Sequence, residues 1–247
     1  MNICLFENSE INLPLSFEDI RGEHLLQILH KKQGDSFTAG IIGGASGSAI
    51  ITKIDEAARQ IFFEFKATGD GKPLNPLSMI VGFPRPIQLR RLLRDVAALG
   101  VSELHLTGTE LGEKSYMQSD LAQPEAACEL LREGTVQAGS THVPKVFVHK
   151  CLHDCLERVV VPEALEGPQL ICLDNINPAC SLGEVDFSNS AGVVAAIGSE
   201  RGWTDKERGL LEEAGFIRCG MGSRIMRTET AATVAGAIIL NSMGVLK

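Results

Sequence analysis

The chain has 247 residues, of which 44% are hydrophobic, so it can bury a core and hold one large or two small domains. Its formal net charge of −8 argues against nonspecific nucleic-acid binding, although it leaves room for a local basic patch. Because no apolar run approaches the ~20 residues of a membrane span and no signal region begins the chain, we expect a cytoplasmic protein without a membrane partner.

The first part of the chain predicts a small β domain. Short runs rich in Ile, Phe and Thr are separated by Gly, Ser, Asp or Asn, which is typical of strands joined by tight turns. These runs are NICLF, SFTAGII, AIITKI and QIFFEFKA. The turn-forming stretch ATGDGKPLNP, residues 67–76, predicts a linker after them. We expect a small β-barrel or β-sandwich domain over residues 1–72 and a second domain over residues 73–247.

The second domain is predicted to be α/β. From Leu77 onward, short apolar runs alternate with segments of helical periodicity, which indicates a mainly parallel sheet with helices on both faces. Ligands of such sheets bind at the carboxyl ends of the strands. Glycine and polar residues follow three of the predicted strands, in LDNINP, IGSERGW and GMGSRIMRTET. These strand ends are the candidate site, and Thr204 with Glu207 predicts a capping box on the helix after the second of them.

A basic face is predicted on the helix RPIQLRRLLRD. Arg90, Arg91 and Arg94 fall on one side of it, whereas its leucines and Val96 fall on the other. A solvated helix flank and a phosphate-contacting surface both explain this pattern.

The cysteines and histidines do not predict a metal centre or disulfides. Seven cysteines without paired spacing favour reduced thiols. In CLHDC, Cys151, His153 and Cys155 would share a strand face but separate on a helix, and no second ligand pair follows. We therefore expect unliganded helix residues and no metal. The sequence also lacks a phosphate loop and a dinucleotide-binding fingerprint.

The stretch RIMRTETAATVAGAIIL joins a polar cluster to an apolar helix. Thr228 or Thr230 can cap this helix, and Glu229 in its first turn complements the helix dipole. Arg227 is unfavourable at a helix start, which predicts that it pairs with Glu229 or with a ligand anion. The apolar circumference predicts burial, either under the sheet or in a subunit interface.

These residues carry a family resemblance. VVAAIGSERGWTDKERGLLEEAGFIRCGMGSRIMRTETAATVAGAIIL resembles the signature IGPEGG followed by LG.RILRTETA of the RsmE family, the ribosomal-RNA uridine-N3 methyltransferases of the SPOUT superfamily. EHLLQIL and LLRDVAALGVSEL resemble two further segments of that family. The resemblance implies a C-terminal SPOUT α/β domain with a trefoil knot and an N-terminal PUA-like β-barrel. It also implies S-adenosyl-L-methionine as cofactor, structured RNA of the small ribosomal subunit as substrate, and a homodimer that includes the last helix.

The resemblance also implies site residues. Arg227 would stabilise negative charge on a uridine carbonyl, and Glu229 would hold that arginine. RNA contact is implied for His24, His30, Arg90, Arg91 and Arg94. Cofactor contact is implied for Leu173, Asp174, Gly198, Ser199, Glu200, Gly202, Met221, Gly222, Ser223, Ile225, Arg227 and Thr230.

Several positions depart from the family pattern. Ser199 replaces a proline and Arg201 a glycine, so the turn there either avoids positive φ at residue 201 or is strained. His30 replaces an arginine, Ala98 replaces a glutamate, and EQSGR reads VQAGS over residues 136–140. Two alternatives therefore stay open, a non-catalytic RNA-binding or ribosome-assembly factor and a methyltransferase for another acceptor.

Overall fold

The computed structural model describes residues 2–159 and 167–246 of the chain. The chain divides into two compact units, each with its own sheet. Unit 1 comprises Met1–Pro73 and Thr135–Val143, and unit 2 comprises Leu74–Gly134 and Pro144–Lys247. No helix in the described residues combines the length and apolar character that crossing a membrane requires.

Unit 1 contains a five-stranded sheet that fits a barrel-like domain. Its elements are β1 (Cys4–Phe6), β2 (Leu15–Ser16), α1 (Ile20–Glu23), a π-helical turn (His24–Ile28), β3 (Ser36–Ile41), β4 (Ser46–Asp55) and β5 (Gln60–Gly69). The strand order is β1-β3-β4-β5-β2, and among the pairings described for this sheet only β1–β3 is parallel. Phe6, Leu25, Ile51 and Ile61 lie in its apolar core.

Two details of unit 1 differ from the sequence prediction. The two-residue strand β2 is too short to show an alternating pattern, and it was not predicted. The predicted linker over 67–76 is wrong at both ends, because β5 continues to Gly69 and the next strand begins at Asn75.

Unit 2 contains a seven-stranded sheet in which every described pairing is parallel, as predicted. Its strands are β6 (Asn75–Gly82), β7 (Val101–Thr107), β8 (Lys145–His149), β9 (Gln169–Leu173), β10 (Cys180–Ser181), β11 (Val193–Ile197) and β12 (Ile217–Gly220). Its helices are α2 (Pro86–Ala98), α3 (Pro124–Ala138), α4 (Leu152–Val159), α5 (Asp205–Glu213) and α6 (Thr228–Ser242), although residues 135–138 of α3 are assigned to unit 1. Short 3₁₀ helices cover Lys114–Gln118, Asp120–Ala122 and Leu182–Glu184.

The strand order, β10-β12-β9-β11-β6-β7-β8, places β9, β11 and β12 close together. Their carboxyl ends therefore open at one edge of the sheet. Helices α4 and α5 pack on the face that carries Ile80 and Cys172. Helix α6 packs on the other face, since a side chain added at Gly236 would meet Met79 and Leu77. Both faces are thus covered, which explains why β11 is buried throughout.

Helix α2 buries the face that the sequence predicts, including Leu89, Leu92, Leu93 and Val96. Helix α6 is buried on one side only, along Ala232, Ala235, Ile239 and neighbouring residues, where it packs on α2, β6 and β11. The predicted cap of α6 is wrong, because Arg227 occupies the cap position and contributes no side-chain hydrogen bond.

Candidate functional site

The loops after β9, β11 and β12 enclose a cavity of about 250 Å³. Its walls combine glycines, apolar side chains and a few charged groups. The lining residues are Leu173, Asp174, Asn175, Ile197, Gly198, Ser199, Glu200, Arg201, Gly202, Cys219, Met221, Gly222, Arg224, Ile225, Met226, Thr228 and Ala231. The structure thus brings together most of the predicted cofactor residues, but Ser223, Arg227 and Thr230 do not line the cavity.

Hydrogen bonds tie the three loops to one another. The buried Trp203 indole donates from Nε1 to the carbonyl of Leu173 at 3.2 Å, which joins the second loop to the first. The Thr228 hydroxyl donates to the carbonyl of Gly198 at 3.3 Å, which joins the third loop to the second. The amide of Asp174 donates to the carbonyl of Cys219 at 3.1 Å. The cavity is therefore held by contacts across the loops and not by one loop alone.

The second loop turns sharply at residues 199–202. The amide of Gly202 donates to the carbonyl of Ser199 at 2.9 Å, and Gly202 has a φ of 73°. Among the described non-glycine residues, positive φ occurs at His30, Arg59 and Asn177, so Arg201 avoids it. The substitution of a family glycine by Arg201 therefore brings no backbone strain to this turn.

Ser199 and Glu200 also serve neighbouring elements. The Ser199 hydroxyl accepts a hydrogen bond from the hydroxyl of Thr109 at 2.9 Å. The Glu200 carboxylate accepts one from the amide of Arg85 at 2.9 Å, directly before α2 begins. A carboxylate at a helix start is stabilised by the unpaired amides and the helix dipole. Glu200 therefore fixes the loop against α2.

Asp174 in the first loop is held by two arginines. Its side chain is 1% exposed, and its Oδ2 lies 2.6 Å from Arg208 Nε and 3.7 Å from Arg218 Nη1. Its Oδ1 accepts a hydrogen bond from the amide of Ile176 at 3.1 Å. Hydrogen bonding to Asp174 raises the pKa of Arg208. The aspartate thus anchors its loop to α5, whose predicted capping box of Thr204 and Glu207 is confirmed.

The third loop, residues 221–227, exposes apolar surface. Gly222 has a φ of 92°, and Ile225 is 83% exposed although it lines the cavity. Contact with a ligand or a partner would remove this exposed apolar side chain from water, which is energetically favourable. The loop ends at the exposed Arg227, whereas Glu229 is buried in the first turn of α6. No described ion pair joins them, so the predicted Arg227–Glu229 pair is not formed in this structure.

The residues predicted to contact RNA lie in both units. In unit 1, His24 is half-buried in the π-helical turn, and His30 is exposed with a φ of 51°. In unit 2, Arg90, Arg91 and Arg94 are exposed on α2. The Arg94 guanidinium lies 2.6 Å from a Glu133 carboxylate oxygen, so its charge is partly neutralised.

A second cavity, of about 430 Å³, lies beyond the hydrogen bond between Thr109 and Ser199. Its lining includes Phe83, Glu110, Lys206 and Glu207. Two of its acidic groups already have partners, because Glu110 pairs with Lys206 at 2.9 Å and Glu207 caps α5. Gly108 and Gly112 also line it, so the two cavities differ in position rather than in glycine content, and the three-loop cavity is the one that lies after β9, β11 and β12.

None of the cysteines, all of which lie in the described part of the chain, forms a disulfide in this structure. CLHDC lies at the start of α4, where Cys151 and His153 are exposed and Cys155 is buried, so these residues do not converge. A different group was not predicted from the sequence. His105, His149 and Cys155 place their ligand atoms within 4.8 Å of one another. Burial, and next the neighbouring His149, lower the pKa of His105 to about 4.

The chain is similar to known RNA methyltransferases over most of its length. Residues 71–240 match the family model described as an RNA methyltransferase domain. The chain is 42% identical to ribosomal RNA small subunit methyltransferase E of Treponema pallidum over 97% of this chain and 91% of that protein. It is 32% identical to ribosomal RNA small subunit methyltransferase E 1 of Borreliella burgdorferi, covering 98% of both.

A solved structure has a similar fold. Ribosomal RNA small subunit methyltransferase E from Neisseria gonorrhoeae, bound to S-adenosyl methionine, superposes with a TM-score of 0.76 at 24% identity, covering 98% of this chain and 97% of that one. The family match includes β9, β11, β12 and most of α6, and therefore the whole three-loop cavity. The chain belongs to the RNA methyltransferase family that includes ribosomal RNA small subunit methyltransferase E.

Proposed function

We propose that this protein is an S-adenosyl-L-methionine-dependent methyltransferase that modifies N3 of a uridine in the RNA of the small ribosomal subunit. The observation that carries the proposal is the three-loop cavity at the carboxyl ends of β9, β11 and β12. Support comes from the names of its relatives and from the cofactor in the gonococcal structure, whose fold it shares.

The cavity residues fit the proposed cofactor. Glycines 198, 202 and 222 leave main-chain donors and acceptors accessible, which suits the edge of an adenine ring. Leu173, Ile197 and Ile225 provide apolar surface for the ring itself. When bound, the cofactor supplies an already activated methyl group, so the protein has to position both reactants and assist the acceptor.

Arg227 and Glu229 are proposed to assist the acceptor. Loss of the N3 proton places negative charge on the neighbouring uridine carbonyls, which a guanidinium stabilises. Arg227 is exposed at the end of the third loop and has no described ion-pair partner, so it is available to a substrate. Glu229 is buried in the first turn of α6, two residues after Arg227, and would hold Arg227 when the substrate is bound.

RNA is proposed to contact both units. Unit 1 would act as the RNA-binding domain through His24 and His30, and α2 would contact phosphates through Arg90 and Arg91. Arg94 is expected to contribute less, because Glu133 already partly neutralises it. Since the substrate would be ribosomal, we also propose that the protein acts in the cytoplasm.

The path of the chain supports a trefoil knot. Strand β12 lies beyond β9, whereas α6, which follows it, packs on β6 and β11 on the other side of β9. The third loop therefore crosses the carboxyl ends of the strands and meets Gly198 at the Thr228 hydrogen bond. We propose that this crossing threads the chain through a preceding loop. An experimental backbone trace that returns without threading would contradict it.

We propose that the protein forms a homodimer through the outer side of α6. Val234, Ala237 and Ile238 are half-buried there, and this apolar side lacks charged residues. Sedimentation of Ile238→Asp should show a shift from dimer to monomer. A matched control is Ile50→Asp at an exposed position of unit 1, which should leave the dimer intact. A monomeric wild-type protein would contradict the proposal.

Methyl transfer tests the function. Purified protein with radiolabelled S-adenosylmethionine should methylate small ribosomal subunits from cells that lack this modification, and nucleoside analysis should identify 3-methyluridine. Free ribosomal RNA and other RNAs separate the alternative acceptors. Cofactor binding without transfer to any RNA would favour a non-catalytic RNA-binding factor and would contradict the proposal.

Arg227 variants test the assignment of its role. Arg227→Ala should lower kcat by about 10²-fold or more, because it removes a donor at the developing charge, while cofactor affinity stays unchanged. Arg227→Lys, which keeps the charge but not the planar fork, should retain part of the activity. Unchanged kcat for Arg227→Ala would remove the arginine from the mechanism.

A further inference from the structure

We propose that His105, His149 and Cys155 form a binding site for a thiophilic divalent cation, with Zn²⁺ as the preferred ion. The ligand atoms of these residues lie within 4.8 Å of one another, on three elements that only the fold brings together. The inference concerns β7, β8 and α4, and it does not rest on the proposed methyl transfer.

The sheet places both imidazoles on the face that α4 covers. His105 on β7 is paired in register with Phe147 on β8, and His149 lies two residues further along β8 on the same face. The rings of His105 and His149 stack with centroids 5.3 Å apart, and His105 Nδ1 lies 3.0 Å from His149 Nε2. Cys155 is fully buried in α4 above them.

The close approach of the two ring nitrogens creates a position where a cation can bind both. Two neutral imidazoles 3.0 Å apart share one proton between two nitrogen lone pairs. A cation at this place would accept both lone pairs, with the ring proton of His149 moving to its Nδ1. Cys155 would lose its thiol proton to solvent as the metal–sulfur bond forms, so binding releases one proton. Two imidazoles with a thiolate favour Zn²⁺ over Mg²⁺ or Ca²⁺.

Glu103 is placed as an outer partner of the site. Its Oε2 lies 3.4 Å from His105 Nε2, the ring nitrogen that faces away from His149. Metal-bound histidines commonly donate their second ring N–H to a carboxylate, which fixes the tautomer and the ring orientation. With Nε2 of His105 protonated toward Glu103, its Nδ1 lone pair is free to bind the cation.

A surface depression beside His149 leaves the ion an entry path. It is lined by Asp154, Glu157 and Arg158 among others. The ligand atoms, which lie within 4.8 Å of one another, must move closer when the ion binds. One Zn–N bond and one Zn–S bond placed in line span only roughly 4.4 Å. His149 is half-buried, and a rotation of its side chain or that of Cys155 would close the remaining gap. A water would complete the coordination.

Cobalt and zinc titrations of the full-length protein test the site after chelator treatment. We expect one Co²⁺ per chain, a thiolate-to-cobalt charge-transfer band, and displacement of that band by one equivalent of Zn²⁺ but not by Mg²⁺. Cys155→Ala should abolish the band, and His149→Ala should weaken binding at least tenfold. The controls Cys151→Ala and His153→Ala change exposed residues at the start of α4 and should keep the band.

The Glu103→Gln variant tests the site even if the variants of the buried ligand residues do not fold. Its side chain is 37% exposed, so the variant should fold, and it should weaken Zn²⁺ binding about tenfold through the lost outer contact. Wild-type protein that shows no saturable band, or a band that survives Cys155→Ala and disappears in Cys151→Ala, would overturn the proposal. Binding of the methyl donor, measured in parallel, should be the same with and without Zn²⁺.

Discussion

Two clusters of arginine and carboxylate, one in each unit, have similar chemistry but different surroundings. In unit 1, Arg21 pairs with Asp19 at 2.6 Å and with Glu10 at 3.2 Å, and it also donates to the carbonyl of Leu5. In unit 2, Arg208 pairs with Asp174 at 2.6 Å. The second cluster reaches the wall of the three-loop cavity through Asp174.

The difference shows that an ion pair by itself does not identify a site. Arg21 joins α1 to the end of β1 and stacks 4.6 Å from the Phe6 ring, which is a structural role. Asp174 also forms an ion pair and a hydrogen bond within the protein, but the loop that it anchors has main-chain groups that are accessible to a ligand in the cavity. The two clusters therefore differ in the part of the chain that each ion pair supports. The predictions below test this distinction.

The largest effect is expected from Arg208→Met. Among the described residues, this change leaves the buried Asp174 carboxylate with Arg218, 3.7 Å away, as its one charged partner, so the free energy of unfolding should fall by about 3 kcal/mol. The loop after β9 should also loosen, which would weaken cofactor binding. Denaturant unfolding and calorimetric titration measure the two effects. Weaker stability with unchanged cofactor affinity would show that Asp174 does not support the cavity.

Arg21→Met should lower the free energy of unfolding by about 1–2 kcal/mol and leave cofactor affinity unchanged. Arg21 lowers the pKa of Asp19 and of Glu10. A lowered folded-state pKa contributes stability above the unfolded pKa of about 4, and that contribution is lost as the pH falls through the folded pKa. The difference between wild type and variant should therefore be constant near neutral pH and shrink below about pH 4. A difference that grows on acidification would contradict this account.

Gly222→Ala and Gly34→Ala form a matched pair with a smaller expected effect. Both glycines have a φ of 92°, and an added Cβ would meet nothing within 4 Å at either position. Each substitution should therefore cost only the strain of positive φ, about 1 kcal/mol of unfolding free energy. Gly222→Ala alone should also weaken cofactor binding, since Gly222 lines the cavity. Equal cofactor affinity in both variants would contradict the assignment of the third loop.

Elements with strong local patterns were predictable from the sequence. The alternation of apolar runs with helical segments indicated the parallel sheet, and Leu89, Leu92 and Val96 indicated the buried face of α2. The two-residue strands β2 and β10 have no period to detect. The failed cap of α6 has a tertiary cause, because the Thr228 hydroxyl donates to Gly198, 30 positions away.

The candidate site was predictable where one loop carries several of its residues. The glycines and neighbours in GSERG and GMGSRI follow predicted strands, and the family resemblance added their role. The partners of Asp174 were not predictable, because Arg208 lies on α5 and Arg218 on β12. The group of His105, His149 and Cys155 was missed for the same reason, since pairing of β7 with β8 creates it.

Hydrogen–deuterium exchange with and without S-adenosylmethionine tests the central claim most directly. The account predicts slower exchange in residues 173–175, 198–203 and 221–228, and no change in unit 1. Residues 108–117, which contribute to the larger cavity, provide the internal comparison. Protection confined to that segment, or saturable binding without protection of the three loops, would contradict the account.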